Sequence, residues 1–433
     1  MTDARVRLWG RDIGAVSWID AQALAVFQYT PEFVPSGIEV APLTMPLAAN
    51  PYQFPELPRE SFKGLPGLLA DSLPDKYGNA LIDAWLASLG RTPASFNPVE
   101  RLCYIGRRGM GALEFEPALP RDSSRRQRVE IAALVELADR VLDERIALNG
   151  KFAGKDDADV IEDILKVGTS AGGARAKAIL AFNATTGEFR SGQMPADQGF
   201  SHWLMKFDGV KSSRDREVSI PLGYGLIEYA YYLMAIAAGI EMTECRLHRE
   251  GGRAHFMTRR FDRTLDGNKL HMQSLSAMRH FDFNRPDAYS YEQALLTIRQ
   301  LRLPMQSVEE QFRRATFNVL ARNHDDHVKN IAYLMNQRGE WRLAPAFDIA
   351  YAYNPEGLWT SRHQMSIHGK RDGFELDDLV SLASTGDIKR ARAIAIVDEV
   401  AEAVAAWPAH AEAAGLAAAT TTRIAAAHRR LTT

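Results

Sequence analysis

Cysteine is nearly missing from this sequence: of 433 residues only Cys103 and Cys245 are cysteines, far apart and in no CxxC arrangement. That excludes a disulfide-stapled scaffold and a structural zinc site built on thiolates, and it suits a reducing compartment. Net charge is nearly missing too, at -2 from 52 basic and 54 acidic residues, so no global field favours nucleic acid or an anionic membrane. No run approaches the roughly 18–20 apolar residues of a membrane span, and the opening MTDARVRLWGRDIGAVSWID has no apolar core of a secretory signal. The expectation is a soluble cytoplasmic protein without membrane contact. What is present, 46% hydrophobic and 24% charged residues over this length, is enough for two or three domains with buried cores.

Along the chain, VRLWG and GAVSWI read as a small hairpin joined at Arg11–Asp12, and Asn79–Leu89 has helical spacing ending at Gly90. Pro120–Glu130 is a polar linker whose four arginines read as a solvated loop, followed by the helical spacing of IAALVELADRVLDERIAL. The second half of the Gly-rich VGTSAGGARAKAILAF alternates as a strand, HWLMKFDG is another strand, and YGLIEYAYYLMAIAAG is a helix ending at Gly239. CRLH and RAHFMTRRF form a hairpin around Glu250–Gly252. Beyond it the chain turns mostly helical: Ser307 and Glu310 read as a capping box opening a helix that runs into Arg322, and from about Ala391 an Ala-rich helical end piece follows.

The most concentrated chemistry is RNHDDHVKN, Arg322–Asn330, with two His, two Asp and two Asn in nine residues. One reading is a metal-dependent nuclease or phosphohydrolase centred on His324, Asp325, Asp326 and His327, which needs further donors from elsewhere. The other is phosphoryl transfer. Asp325 and Asn330 stand in a D-x-x-x-x-N spacing, and Asp348 follows in PAFDIAY. One carboxylate takes the proton of the attacking hydroxyl, while an amide oxygen and a second carboxylate hold magnesium against nucleotide phosphates. Upstream, in the order this chemistry requires, come Gly168, Gly172 and Gly173 for a phosphate loop, Lys206 mid-strand, and Glu228 near the start of a helix to orient that lysine. Each has a bland alternative: a hairpin turn, a snorkelling strand lysine, a first-turn helix acid. A catalytically silent kinase-fold binding protein is the third class.

The chain resembles the HipA family of bacterial serine/threonine kinases, toxin components of toxin–antitoxin pairs. SGIEVAPLTMPL, FKGLPGLLADSLPDKYGNALID and IGRRGMGALEFEP look like that family's N-terminal subdomain; TSAGGARAKA resembles its phosphate loop, IEYAYYLMAIAAGI its Glu-bearing helix, RRFDR its hinge, RNHDDHVKN its catalytic loop and LAPAFDIAY its metal-binding loop. The implied fold is α+β, two-lobed and protein-kinase-like with a small β-rich N-terminal subdomain, divided as 1–120, 121–262 and 263–433. The resemblance implies Asp325 as catalytic base beside His327, Lys206 as the ATP lysine paired with Glu228, and Asn330 and Asp348 as Mg2+ ligands. It puts Gly172, Gly173, Ala174 and Lys177 at the nucleotide phosphates, gives the backbone of Arg259 and Phe261 to adenine, and makes Ser170 the autophosphorylation site. It further implies a protein substrate such as an aminoacyl-tRNA synthetase, and a small DNA-binding, HipB-like antitoxin through which DNA is contacted only indirectly. The chain departs from the family pattern at Arg259, a position usually acidic, at Asp326, a position often small, and across MQSLSAMRHFDF, which points to a separate branch. The D-x-H-x-x-N of Asp325, His327 and Asn330 also resembles the catalytic loop of phosphoinositide kinases.

Overall fold

The structure is a computed structural model that describes residues 2–88, 90–117, 130–136, 138–139, 175–192, 198–210, 222–264 and 266–431. The phosphate-loop positions Gly168, Thr169, Ser170, Gly172, Gly173 and Ala174 lie outside the described residues, as do most of the 120–130 linker and the end of the helix expected after it. The chain divides into two compact units: one takes Met1–Asp215, His248–Gln273 and Met335–Glu340, the other Arg216–Leu247, Ser274–Leu334 and Trp341–Thr433.

The first unit holds two antiparallel sheets. β1 (Thr2–Leu8), β2 (Arg11–Ile19), β3 (Leu24–Tyr29) and β4 (Leu113–Glu116) run in the order β3-β2-β1-β4. The hairpin expected at the start is there, but its turn is Trp9–Gly10 rather than Arg11–Asp12. Leu8 pairs with Arg11, and both turn residues have positive φ, 49° and 80°. A two-residue turn with both centres left-handed matches strand twist, and a glycine carries one of them at no steric cost. Ala4, Val6, Leu8, Val16 and Trp18 alternate onto the buried face. Helices α1 (Lys76–Ser88) and α2 (Pro98–Ile105) follow β3. The start of α2 is fixed by a capping box between Asn97 and Glu100.

The second sheet contains β5 (Lys177–Phe182), β6 (Phe189–Ser191), β7 (Ser201–Lys206), β8 (Cys245–Glu250) and β9 (Arg253–Arg259), in the order β6-β5-β7-β9-β8. The expected Gly251–Gly252 hairpin joins β8 to β9, with both glycines at positive φ. Ala178, Leu180, Trp203, Met205 and Met257 from this sheet share a core with Tyr77, Leu81 and Leu86 of α1 and Tyr104 of α2. Just past β9, a buried ion cluster ties the RRFDR segment to the loop before β4. Asp262 accepts from Arg260 Nε (2.9 Å), Arg260 Nη2 (2.7 Å), Arg263 Nη1 (2.7 Å) and the Gly111 amide (2.7 Å).

The second unit is mainly helical: α3 (Tyr224–Ala237), α4 (Tyr291–Gln300), α5 (Met305–Leu320), α6 (Leu376–Thr385), α7 (Arg390–Ala405), α8 (Trp407–Ala414) and α9 (Ala418–Ala427). The short strands β10 (Ala332–Met335) and β11 (Trp341–Leu343) follow α5. The helix expected to open on a Ser307–Glu310 box opens instead at Met305, with Pro304 as its cap and no side-chain cap bond. Proline fixes the extended entry, so Ser307 falls inside the first turn and Glu310 accepts from the Glu241 amide and Arg314 Nε. The capping boxes that form in this unit are Ser290–Gln293 on α4 and Glu375–Asp378 on α6. α5 ends at Leu320, before Arg322. Tyr231 of α3 packs against Trp407 (ring centroids 5.3 Å apart) and Phe317 (6.2 Å), joining α3, α5 and α8 in one core. Among the described residues no helix is long and apolar enough to cross a membrane.

Candidate functional site

Where α5 ends, Arg322 turns the chain with a φ of 57°. The next residues run beside the segment after Asp348: Asn323 forms a parallel bridge with Ala352, the His324 amide donates to Ala352 O (3.1 Å), and the Ala352 amide to Arg322 O (3.2 Å). At the far end of the loop the Ala344 amide donates to Ala332 O (2.9 Å). Two stretches, 325–331 and 345–351, are therefore pinned to one another at both ends. The second is also held by the Ala346 amide, which donates to Glu241 O (2.8 Å).

Inside the first stretch, side chains alternate between the protein interior and solvent. His324 and Asp326 are buried, Asp325 is exposed, and His327 and Asn330 are half-buried. His327 caps a single turn, Val328–Asn330, by accepting the Lys329 amide at Nδ1. Asn330 Nδ2 donates to Asp325 O at 2.8 Å, which closes the loop and leaves the amide oxygen directed away from that bond. His327 Nε2 lies 3.7 Å from Asp325 Oδ1. In the facing stretch Asp348 has a φ of 54°. A non-glycine residue held left-handed is uncommon and costs on the order of 1 kcal/mol or more, a strain that recurs at functional positions.

Asp325, His327 and Asn330 thus share one loop, and Asp348 lies on the loop pinned beside it. The metal-hydrolase reading is not supported by the same geometry. His324 Nδ1 is engaged by Thr360 O (3.0 Å), and Asp326 by Tyr291, His363 and the Gln364 amide, so two of its four residues face inward. Burial, with His363 and Arg322 adding to it, pushes the His324 imidazole down to about 2, which keeps it neutral. Among the described residues no group of three or more His, Cys, Asp or Glu converges on a metal-sized site.

The first unit contributes lysines. Lys177 opens β5 and Lys206 closes β7, and the two are direct register partners. Opposed residues on antiparallel strands point to the same face, so two cations share one patch; Lys177 is only 2% exposed. Like charges placed directly opposite each other destabilise a sheet pair in the absence of compensating partners. Lys206 Nζ also sits 5.9 Å from the Phe256 ring centroid, its partner on β9. Arg259 ends β9 opposite Trp203, and the Arg260 amide extends the ladder to His202 O (2.9 Å), with Phe261 next in line. Glu228 is buried at 2% exposure in the first turns of α3, which belongs to the second unit, whereas Lys206 belongs to the first.

Sequence reasoning missed the inward-facing set around Asp326 and the Arg260–Asp262–Arg263 cluster. Within the cluster, Arg260 and Arg263 one or two residues from Asp262 were an available local signal, but the Gly111 amide lies 151 positions away and the partners of Asp326 lie 35 to 38 positions away, beyond any local pattern.

Comparisons with known proteins fit this arrangement. The HipA N-terminal domain model matches residues 4–116 and the HipA-like C-terminal domain model residues 169–407. The fold is similar to a chain of the Shewanella oneidensis MR-1 toxin–antitoxin complex of HipA, HipB and operator DNA, with a TM-score of 0.66, 17% identity, and coverage of 98% of this chain and 94% of that one. A Helicobacter pylori proinflammatory kinase, CtkA, aligns with a TM-score of 0.33 and 10% identity over 59% of this chain and 93% of its own, too distant to carry weight. No curated protein matches the sequence. Two family models over most of the chain, and a solved relative in fold over nearly all of it, establish that the chain belongs to the HipA family and has that family's kinase-like α+β fold.

Proposed function

We propose that this chain is an ATP- and Mg2+-dependent serine/threonine protein kinase. The observation that carries the reading is the pair of loops pinned at both ends, with Asp325 and Asn330 on one and a left-handed Asp348 on the other. In this reading Asp325, the exposed acid, orients the acceptor hydroxyl and takes its proton, with His327 beside it. Asn330 offers its amide oxygen, the end left over from its bond to Asp325 O, and Asp348 its carboxylate. That oxygen-only donor set suits Mg2+, which when bound neutralises charge on the nucleotide phosphates. Lys177 and Lys206 attract those phosphates, Glu228 orients Lys206, and Gly172, Gly173 and Ala174 line the phosphate loop. The backbone of Arg259 and Phe261 faces adenine, and a buried Asp262 immediately beside them stiffens that segment.

Ser170 is the residue we assign to autophosphorylation. The substrate is a protein, in the family pattern an aminoacyl-tRNA synthetase, and the regulator a small HipB-like DNA-binding antitoxin, as in the Shewanella complex. The site of action is the cytoplasm. Within the chain, 1–120 forms the N-terminal subdomain, 121–262 the upper lobe and 263–433 the lower.

Calorimetric titration with ATP tests the nucleotide reading. One ATP should bind in the presence of Mg2+, and Asp348→Asn should weaken binding only when Mg2+ is present. Absence of ATP binding to unphosphorylated protein, checked by intact mass, would refute the proposal.

A further inference from the structure

Asp326 is the most heavily bonded acid of the loop, and the chemistry above gives it no task. Its side chain is 1% exposed, and both carboxylate oxygens are engaged. Oδ2 accepts from Tyr291 Oη at 2.7 Å and from His363 Nδ1 at 2.8 Å, and Oδ1 accepts from the Gln364 amide at 2.7 Å. Burial, reinforced by Asp326, raises the Tyr291 phenol well above its usual range, so it stays protonated as a donor. Tyr291 Oη in turn accepts from Asn318 Nδ2 (2.9 Å), and Asn318 Oδ1 accepts from Asn323 Nδ2 (2.9 Å).

These bonds close a ring around Asp325. Asn323, two residues before it, is tied to Asn318 on α5 by side chain and by its amide, 3.0 Å from Asn318 O. Asp326, the residue after it, is tied through Tyr291 on α4 to the same Asn318. His324, between them, is locked inward by Thr360 O. A loop whose neighbours on both sides are buried and bonded leaves Asp325 one direction, outward, and its side chain is 56% exposed. The same carboxylate also fixes residues 363–364, downstream of Asp348, to the catalytic loop.

We infer that Asp326 is the positioning residue of the transfer loop: it clamps the backbone on the far side of Asp325 through Tyr291, His363 and the Gln364 amide, and so sets the aim of the base. The inference rests on the proposed kinase reading for its catalytic consequence, but not for the clamp itself. Asp326 acts through Asp325 and touches none of the residues assigned to nucleotide, so its loss falls on turnover and not on ATP affinity.

Two variants test it. Tyr291→Phe keeps the ring and removes one of three donors; Asp326→Asn keeps the shape and weakens all three bonds. Removing a hydrogen bond to a charged acceptor should lower kcat about tenfold in Tyr291→Phe, and more in Asp326→Asn, with KM for ATP within about twofold of wild type. Amide hydrogen exchange of peptides covering 322–330 and 360–365 should quicken in both variants while α7 and α8 keep wild-type protection. Turnover and exchange both unchanged, or kcat and KM altered in parallel with a general loss of protection, would overturn the inference. If the wild type transfers no phosphate, the kinase reading fails by itself. Exchange then decides the clamp alone: faster exchange confined to the two loops sustains it, and wild-type exchange in both variants removes it.

Discussion

Replacing Asp262 by Asn is a sharp physical test of how the first unit is held together. Asp262 is fully buried, and Arg260 and Arg263 have only 1% and 8% of their side chains exposed. The carboxylate accepts four hydrogen bonds, three from guanidiniums and one from the Gly111 amide. Burial alone would raise the Asp262 carboxyl, but the two guanidiniums and the Gly111 amide outweigh it and hold the group well below its usual 3.8. Burial, with Arg260 adding to it, pushes the Arg263 guanidinium down to about 10 even beside Asp262. Asn supplies one acceptor where the site uses two, turns an NH2 toward a donor, and takes from two buried cations the carboxylate they share. Breaking a buried ion pair in this way costs about 3–5 kcal/mol. At about 2–4 °C per kcal/mol for units of 150–250 residues, Tm of the first unit should fall by roughly 6–20 °C. The assay is thermal unfolding followed by tryptophan fluorescence, repeated across pH. Because the folded-state carboxyl is depressed, its contribution is present above the unfolded value of 3.8 and is lost as pH falls below it. Wild type and Asp262→Asn should therefore differ at pH 7 and converge on acidification beneath pH 3.8. A Tm within about 2 °C of wild type at pH 7, or a gap that widens in acid, would refute the argument.

Other expectations follow from the same structure. Lys206→Ala should weaken Mg-ATP binding on the order of 10–100-fold, the loss of a charge-assisted phosphate contact, measured by calorimetry. Gly14→Ala should destabilise by about 1–3 kcal/mol through overpacking, read as a lower Tm, since a Cβ there would stand 2.5 Å from both Gln28 O and the Phe27 ring. Phosphorylation found by mass spectrometry after incubation with Mg-ATP should fall on Ser170; phosphate confined to other residues would overturn that assignment.

Much of this architecture was legible from sequence, and the reasons differ by element. The Gly251–Gly252 hairpin, the α3 helix ending before Gly239 and the strand carrying Lys206 were legible because backbone freedom and apolar periodicity are local properties, although Lys206, expected mid-strand, closes that strand. The first hairpin was found but its turn misread, because Trp9 gives no local sign that it adopts a positive φ. The α5 cap was misread because Glu310, three residues after Ser307, is spent on Glu241 and Arg314. Asp325, Asn330 and Asp348 were named from spacing, and the backbone bonds that set their loops side by side were not visible in it. Nor could spacing separate Asp325 from Asp326, since adjacent and chemically identical residues are told apart here only by Tyr291, His363 and Gln364.

The central claim is that the exposed acid, Asp325, is the base of a phosphoryl transfer. The direct measurement is single-turnover transfer from labelled ATP with Mg2+ by unphosphorylated wild type and by Asp325→Asn, with both Tm values recorded. The wild type should transfer phosphate, the variant should lose at least about 10²-fold, and the two Tm values should match closely, since this side chain is 56% exposed. A variant that transfers phosphate at the wild-type rate would contradict it.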